Sequence, residues 1–273
     1  MDRSVTLNDG KAMPRVGLGT WQMSNTQVEK AMLAALEAGY RAVDTAKTYN
    51  NERGVGKALA ASGLPRADIF VTTKLAKSDH AYEDALRAFD RNLRQLGLDY
   101  VDLYLIHWPA PRQDKYLDAW RALMKIGSEG RARSIGVSNF TVRDLTRVID
   151  AYGVVPVVNQ IELHPRFSQA ELRAFHAQHG IVTEAWSPLG QGGGLLTDAT
   201  LRRVADKHGK TAAQVALRWS LQLGNVVIPK SVTPARIAEN LDLFGFELDD
   251  EDIGALSTLD GGRRLGPDPA HFG

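Results

Sequence analysis

The 273-residue sequence contains no cysteine. That absence excludes disulfide bonds, thiolate-bound metals, iron–sulfur clusters and a cysteine nucleophile. The sequence also lacks a continuous apolar run of about 18 residues, the length that a membrane-spanning helix needs. Its first residues lead into no apolar segment of the kind that follows the start of a signal peptide. We therefore expect a cytoplasmic protein.

An excess of charge of one sign is missing too, because 33 Lys and Arg offset 32 Asp and Glu. A near-neutral chain argues against a dedicated nucleic-acid surface and against a polybasic membrane-binding surface. No linker or low-complexity segment interrupts the sequence before a Gly- and Pro-rich stretch, residues 261–273, which we call the tail. Since α/β barrels reach roughly 250 residues as one unit, the sequence predicts a single domain over 1–273.

Short apolar strands alternate with amphipathic helices along nearly the whole chain. The predicted strands are Val16–Leu18, Arg41–Asp44, Ile69–Leu75, Val101–His107, Arg133–Val137, Val157–Ile161, Ile181–Ala185 and Asn225–Ile228. The first predicted helix presents Val28, Ala31, Met32, Ala35 and Leu36 on one face. The others are Glu52–Ala61, Tyr82–Leu96, Lys115–Ile126, Val142–Tyr152, Gln169–His179, Thr211–Leu221 and Pro234–Phe244. Strands separated in this way by helices pair in parallel and are covered on both faces.

Two architectures repeat strand and helix like this: an open doubly wound sheet and a closed barrel. The open sheet usually carries a GxGxxG fingerprint after its first strand, and Gly17-Leu18-Gly19 lacks the third glycine. We therefore expect an α/β fold of the (β/α)8 TIM-barrel type. A hairpin that begins with Val5–Leu7 and turns at Asn8-Asp9-Gly10 is expected to close the bottom of the barrel.

Polar or aromatic side chains lie at the carboxyl ends of seven of the predicted strands or directly after them. They are Asp44, Lys74, His107, Ser138 with Asn139, Gln160, Trp186 with Ser187, and Lys230. Each one alone has an ordinary explanation, such as a solvated lysine or a helix-capping aspartate. Barrel enzymes, however, carry their chemistry at the carboxyl ends of the strands. The coincidence of all seven positions predicts an active site at that end.

The segments around these residues resemble the aldo-keto reductase family. The resemblance rests on Asp44–Glu52, Lys74, Tyr104–Pro109, Gly136–Phe140, Asn159-Gln160, Ser187–Leu189 and Lys230–Thr233. It covers the chain from the hairpin to about Asp260 and is greatest to the bacterial 2,5-diketo-gluconate reductase branch, which has a tryptophan at position 186. The resemblance implies a monomeric, NADPH-dependent reductase of aldehydes, ketones and dicarbonyls such as keto-sugars and methylglyoxal-like compounds.

The resemblance also implies a catalytic tetrad of Asp44, Tyr49, Lys74 and His107. Carbonyl reduction requires a proton at oxygen, and Tyr49 can supply it, although an unperturbed phenol has a pKa of about 10. We expect the Lys74 ammonium to lower that pKa and Asp44 to hold Lys74 in place. His107 is expected to donate a hydrogen bond to the substrate carbonyl.

An anion site is indicated independently at the last predicted helix. Thr233 suits the N-cap and Pro234 the first helical position, but Arg236 in the first turn opposes the helix dipole and Lys230 adds a second cation. A bound anion would resolve this conflict. A solvated surface arginine explains it equally well.

The resemblance assigns these residues to NADPH. Lys230, Ser231, Val232, Thr233 and Arg236 would hold the adenosine 2′-phosphate and ribose, with Glu239 and Asn240 at the adenine. Ser138, Asn139 and Gln160 would bind the nicotinamide carboxamide, and Trp186 would stack on the ring. A Gly-rich flap from Ser187 to Gly194, which includes Pro188, Leu189 and Gly190, would cover the pyrophosphate. Gly19, Thr20, Trp21 and Asp44 complete the expected cofactor set.

Substrate contacts are expected from Trp21, Tyr49, His107 and Trp108. The loop from Trp108 to Asp114 and the tail are both short, which predicts a shallow, open site with little discrimination. A frayed tail that touches nothing is the alternative. His176 and His179 are three residues apart, which is not the HExxH spacing, and no metal site is predicted.

Two other functions remain open at the level of sequence. One is a cofactor-binding regulatory subunit, against which the intact tetrad argues. The other is a sugar-phosphate isomerase that uses Lys230 and Arg236 for substrate phosphate. Binding of NADPH would separate the isomerase from the reductase.

Overall fold

A computed structural model describes all 273 residues and contains one sheet of eight parallel strands. Its strands are β3 (Leu18–Gly19), β4 (Ala42–Asp44), β5 (Phe70–Leu75), β6 (Val101–Ile106), β7 (Ala132–Ser138), β8 (Val158–Glu162), β9 (Val182–Trp186) and β10 (Val226–Val227). They lie side by side in chain order. A separate antiparallel hairpin consists of β1 (Ser4–Thr6) and β2 (Ala12–Pro14).

The first and last strands of the sheet meet and close it into a barrel. The Val227 N–H donates to the Arg15 carbonyl at 2.9 Å, and the Gly17 N–H donates to the Val227 carbonyl at 2.9 Å. Val16 and Val227 thus form a parallel bridge just before β3. This closure confirms the predicted (β/α)8 barrel and brings the carboxyl ends of all eight strands to one mouth.

Ten helices surround the barrel. They are α1 (Asn25–Ala38), α2 (Glu52–Ala61), α3 (Tyr82–Leu96), α4 (Tyr116–Ser128), α5 (Val142–Tyr152), α6 (Ala170–His179), α7 (Ala199–His208), α8 (Ala212–Gln222), α9 (Pro234–Leu241) and α10 (Asp250–Ser257). None of them has the length and apolarity to span a bilayer.

Local signals explain why α1 forms where the sequence predicts it. Ser24 and Gln27 make a reciprocal capping box at its start, and Gly39 ends it in the left-handed conformation at φ 104°. Its buried residues are the five of the predicted apolar face, namely Val28, Ala31, Met32, Ala35 and Leu36.

The helices differ from the predicted set in three places. Helices α7 and α10 are absent from the predicted set. In α7 only Leu201, Val204 and Ala205 are buried, so its apolar pattern is weak, and Asp198 starts it by capping the Thr200 N–H. Helix α9 ends at Leu241 rather than at Phe244, because Asp242 leaves the helical region at ψ 67°.

The hairpin fills the bottom of the barrel. Leu7 and Met13 form a buried cluster with Leu103 and Leu105 of β6 and with Val158 at the start of β8. Between these inward residues of β6, Tyr104 belongs instead to the larger cluster under the helices. The predicted position of the hairpin is therefore correct, and the mouth at the opposite end is left for the polar residues.

Candidate active site

Lys74 lies at the centre of the polar residues at the mouth, with its side chain fully buried. Its Nζ donates to Asp44 Oδ1 at 2.5 Å, to the Thr45 carbonyl at 2.9 Å and to the Tyr49 hydroxyl at 3.3 Å. One ammonium group therefore joins the carboxylate to the phenol, as the tetrad requires.

Adjacent strands place these three side chains. Asp44 ends β4 in register with Thr72 of β5, and Lys74 follows two residues later, so that it points to the same side of the sheet. Tyr49 ends a short 3-10 turn after β4. Asn51 anchors that turn, since its amide donates to the Thr20 carbonyl at 2.8 Å.

His107, the fourth residue of the expected tetrad, directly follows β6. Its ring centroid is 5.6 Å from that of Tyr49 in an edge-to-face arrangement, and its Nδ1 lies 3.3 Å from the Thr48 hydroxyl. Burial and the nearby Lys74 ammonium hold the pKa of His107 well below its ordinary value. The ring is therefore neutral at pH 7 and keeps one N–H donor, as expected for a group that orients a carbonyl.

The expected lowering of the Tyr49 pKa does not occur in this structure. Burial raises the pKa of Tyr49, and Lys74 offsets that rise only in part. Burial also favours the neutral form of Lys74, but Asp44 and Tyr49 outweigh it and raise the pKa of that ammonium. The tetrad thus holds a charged lysine beside a neutral phenol, which is the state a proton donor needs.

Glu184 belongs to this buried polar cluster and is absent from the predicted site residues, although it is the one charged residue of its predicted strand, Ile181–Ala185. It lies inside the barrel on β9, directly beside Gln160 of β8. The Gln160 amide nitrogen donates to Glu184 Oε2 at 2.7 Å and to Asp44 Oδ2 at 2.8 Å. Burial raises the pKa of Glu184 to about 8, with a further contribution from Asp44.

Ser138 and Asn139, expected at the nicotinamide, make their hydrogen bonds within the protein. The Ser138 hydroxyl donates to the Gln160 carbonyl at 2.8 Å, and the Asn139 amide donates to the His107 carbonyl at 2.9 Å. Asn139 Oδ1 accepts from the Trp186 indole at 2.8 Å. By contrast, Gln160 Oε1 accepts no hydrogen bond from the protein. This oxygen is open to solvent rather than sealed in the core.

The start of α9 has the features of an anion site. Thr233 is its N-cap and Pro234 occupies the first turn, but no side chain caps the helix and the first turn holds no acidic residue. Lys230 and Arg236 are exposed there, as is Val232. Of the other residues expected in this region, Ser231 and Asn240 are buried and Glu239 accepts from the Thr211 hydroxyl at 2.6 Å.

The flap consists of residues 187–194 and is rich in left-handed backbone, with Ser187 at φ 52° and Gly190 at φ 70°. Pro188 is buried, and Leu189 packs against the main core. Arg166 holds its far end, donating to the Gly193 carbonyl at 3.0 Å.

Of the cofactor residues expected at the end of β3, Gly19 and Thr20 are buried and Trp21 is exposed. A side chain at Gly19 would place its Cβ 2.6 Å from the Ile228 carbonyl oxygen, so glycine is required where β3 meets the end of the last strand. The Thr20 hydroxyl donates to the Asp44 carbonyl at 2.9 Å. Trp21 is 45% exposed.

The tail crosses the mouth and is not frayed. The Glu162 carboxylate accepts the N–H groups of Leu265 and Gly266 at 2.6 and 2.9 Å. Phe272 packs on Trp108 at 4.6 Å between ring centroids and lies under the Lys77 ammonium at 4.0 Å. The alternative of a tail without contacts is therefore wrong. The short length of the tail predicted an open site, but its contacts with Glu162 and Trp108 narrow the mouth.

Comparison with known proteins identifies the family of this chain. The family model described as Aldo/keto reductase family matches residues 15–260. This chain belongs to the aldo/keto reductase family. Among its relatives, an aldo-keto reductase of Mycolicibacterium smegmatis is 55% identical over 100% of this chain and 98% of its own. The methylglyoxal reductase DkgA of Escherichia coli is 52% identical over 98% of each chain.

Solved structures of this family have the same fold. An aldo/keto reductase from Brucella melitensis superposes with a TM-score of 0.91, is 57% identical and matches 94% of this chain and 99% of its own. A mutant of Gox0644 in complex with NADPH has a TM-score of 0.95, is 47% identical and matches 99% of this chain and 98% of its own.

Proposed function

We propose that this aldo/keto reductase uses NADPH to reduce small aldehydes, ketones and dicarbonyls to alcohols. The observation that carries the proposal is the single buried ammonium of Lys74, which bonds to both Asp44 and the Tyr49 hydroxyl beside a neutral His107. A regulatory subunit without turnover has no need of a proton donor arranged in this way.

The residues at the mouth fit NADPH. Two exposed cations and an uncapped helix start suit a 2′-phosphate at α9, where Lys230 and Arg236 would hold it. The unpartnered Oε1 of Gln160 suits the N–H groups of the carboxamide. Asn139 and Ser138 would also bind the carboxamide after releasing their present hydrogen-bond partners. Trp186 lies beside Asn139, where its indole would cover the nicotinamide ring.

When bound, NADPH would supply the hydride, which no side chain can provide. Tyr49 gives its phenolic proton to the substrate oxygen as the carbonyl becomes an alcohol. Lys74 stabilises the phenolate that remains, and Asp44 keeps Lys74 charged and in place. The His107 N–H donates to the same oxygen and stabilises the negative charge that develops there.

Two relatives support the choice of cofactor and substrate. The Gox0644 mutant binds NADPH in a solved structure, and the E. coli relative is named a methylglyoxal reductase. Small dicarbonyls also suit a mouth that is flanked by Trp21, Tyr49 and Trp108 and narrowed by Phe272 of the tail. We propose that large polycyclic ketones are excluded from this site.

The test is NADPH oxidation with purified protein across aldehydes, ketones, keto-sugars and dicarbonyls. We expect turnover with small dicarbonyls and no submicromolar KM for a polycyclic ketone. Binding of NADPH without turnover of any carbonyl would instead support the regulatory subunit. Failure of NADPH to quench the tryptophan fluorescence would favour the isomerase.

A further inference from the structure

Glu184 is a buried carboxyl group that the mechanism above does not use. It lies on β9 inside the barrel, and its side chain is almost completely buried. Its register partner on β8 is Gln160, whose amide nitrogen lies 2.7 Å from Glu184 Oε2. A buried carboxyl is costly unless its hydrogen bonds are made, so its place within the site calls for a reason.

The two carboxyl groups fix the orientation of the Gln160 amide. Its nitrogen donates one hydrogen to Glu184 and one to Asp44, the latter at 2.8 Å from across the barrel. The Asp44 carboxylate can only accept hydrogen bonds, and Glu184 Oε2 accepts whether the Glu184 proton is absent or on Oε1. The NH₂ end of Gln160 therefore faces both groups, and its Oε1 faces away. Asp44 alone would satisfy only one of the two N–H groups and would hold the amide at a single point.

We propose that Glu184 is a positioning residue that, together with Asp44, presents Gln160 Oε1 to the carboxamide of the nicotinamide ring. This inference rests on the proposed use of NADPH. With Oε1 as acceptor, the carboxamide NH₂ has one preferred partner and the ring one preferred face. Without Glu184, the Gln160 amide keeps only its hydrogen bond to Asp44, so its Oε1 is held less firmly toward the NH₂ of the carboxamide.

The charged and titratable groups that face Glu184 are Asp44 of β4, Lys74 of β5 and Tyr49 of the turn after β4. The residue beside it on β10 is the apolar Val226. An ionised Glu184 raises the pKa of Tyr49 and that of Lys74. Removing its charge should therefore lower the pH at which Tyr49 loses its proton.

Three variants separate the hydrogen bond from the charge. Glu184→Met removes the acceptor and keeps the length of the side chain. Glu184→Gln keeps an acceptor for Gln160 without charge, and Glu184→Asp keeps the charge but withdraws it by one methylene. Thr183→Val is the matched control, because Thr183 is on the same strand but faces outward to His176.

Cofactor affinity and the face of hydride transfer are the readouts, measured with NADPH and with NADPH deuterated at either C4 position. In E184M we expect a Kd for NADPH raised about 10-fold, the effect of one lost hydrogen bond, and deuterium transfer from both C4 positions. E184Q recovers both properties, with the alkaline limb of its kcat profile moved to lower pH. The control keeps wild-type values, and Gln160→Leu combined with E184M is no weaker than Gln160→Leu alone.

A folded E184M with wild-type Kd and single-face transfer would overturn the proposal, as would additive effects with Gln160→Leu. If E184M does not fold, E184D decides: it should loosen both properties, and wild-type values would overturn the proposal. Failure of the wild-type protein to bind or oxidise NADPH would contradict the proposed function instead, before any variant is compared.

Discussion

Lys74 Nζ lies 2.5 Å from Asp44 Oδ1, and the two side chains are 0% and 4% exposed to solvent. A buried pair of this kind is expensive to break, because removing one partner leaves the other charge without compensation. The pair therefore couples the stability of the barrel to the chemistry at its mouth.

Replacing Lys74 should damage both properties. We expect Lys74→Met to lower the free energy of unfolding by about 3–5 kcal/mol and to abolish most carbonyl reduction. Lys77→Met is the matched control, since Lys77 is only partly buried and lies over the Phe272 ring rather than beside a carboxylate. Urea unfolding measures the difference, and equal stability of both variants would contradict the importance of the buried pair.

Tyr49→Phe should leave folding and NADPH binding nearly intact while kcat falls. The change removes one hydroxyl and keeps the ring against His107. General acid catalysis typically contributes about 10²–10⁴-fold, so a loss of that size is expected. Tyr152→Phe, which also removes one hydroxyl but lies on α5, should keep its activity. A near-wild-type kcat for Tyr49→Phe would show that the proton comes from another group.

Arg236→Ala should affect the two nicotinamide cofactors differently. A charge-assisted hydrogen bond is worth about 1.5–3 kcal/mol, so the affinity for NADPH should fall about 10–100-fold. NADH affinity should barely change, because NADH lacks the 2′-phosphate. Fluorescence titrations with both cofactors measure this, and Arg203→Ala on α7 serves as the exposed control. Equal losses of affinity for NADPH and NADH would show that Arg236 does not bind the 2′-phosphate.

Gly266→Ala should lift the tail from the mouth. Its Cβ would lie 2.5 Å from Trp186 Cη2, whereas a Cβ at Gly261 meets nothing within 4 Å, which makes Gly261→Ala the control. We expect altered KM values and altered tryptophan fluorescence for Gly266→Ala alone, and the same direction on deletion of residues 262–273. Unchanged kinetics in the deletion would confine specificity to the loop that begins at Trp108.

Stability should decrease in acid because buried histidines resist protonation. Burial lowers the pKa of His80 to about 4 and that of His176 to about 4. Between pH 6.5 and 4 the unfolded chain binds protons at these positions and the folded chain does not. The free energy of unfolding therefore decreases as the pH is lowered through this range. His80 has no hydrogen-bond partner at either nitrogen, so His80→Phe should make this decline shallower. An identical decline would show that His80 does not contribute.

Much of the site could be predicted because its residues follow strands. The rule that barrel chemistry lies at strand ends locates Asp44, Lys74 and His107, and the structure brings them together around Tyr49. Glu184 has the same position on β9 as Gln160 has on β8, but the rule selects only Trp186 and Ser187 from the end of that strand, so the prediction passes over Glu184. The predicted direction of the Tyr49 pKa shift is wrong because a sequence shows the neighbouring charge but not the depth of burial.

The sequence by itself determined the order of strands and helices, since apolar periodicity, capping residues and turn glycines act within a few positions along the chain. It also determined which residue types stand at the mouth. Only the tertiary structure decided the contacts across the barrel, such as the hydrogen bond from Gln160 to Asp44, which are 116 positions apart in the sequence. It also decided the packing of Phe272 on Trp108. Such contacts depend on strand register and on closure between Val16 and Val227, which no local pattern records.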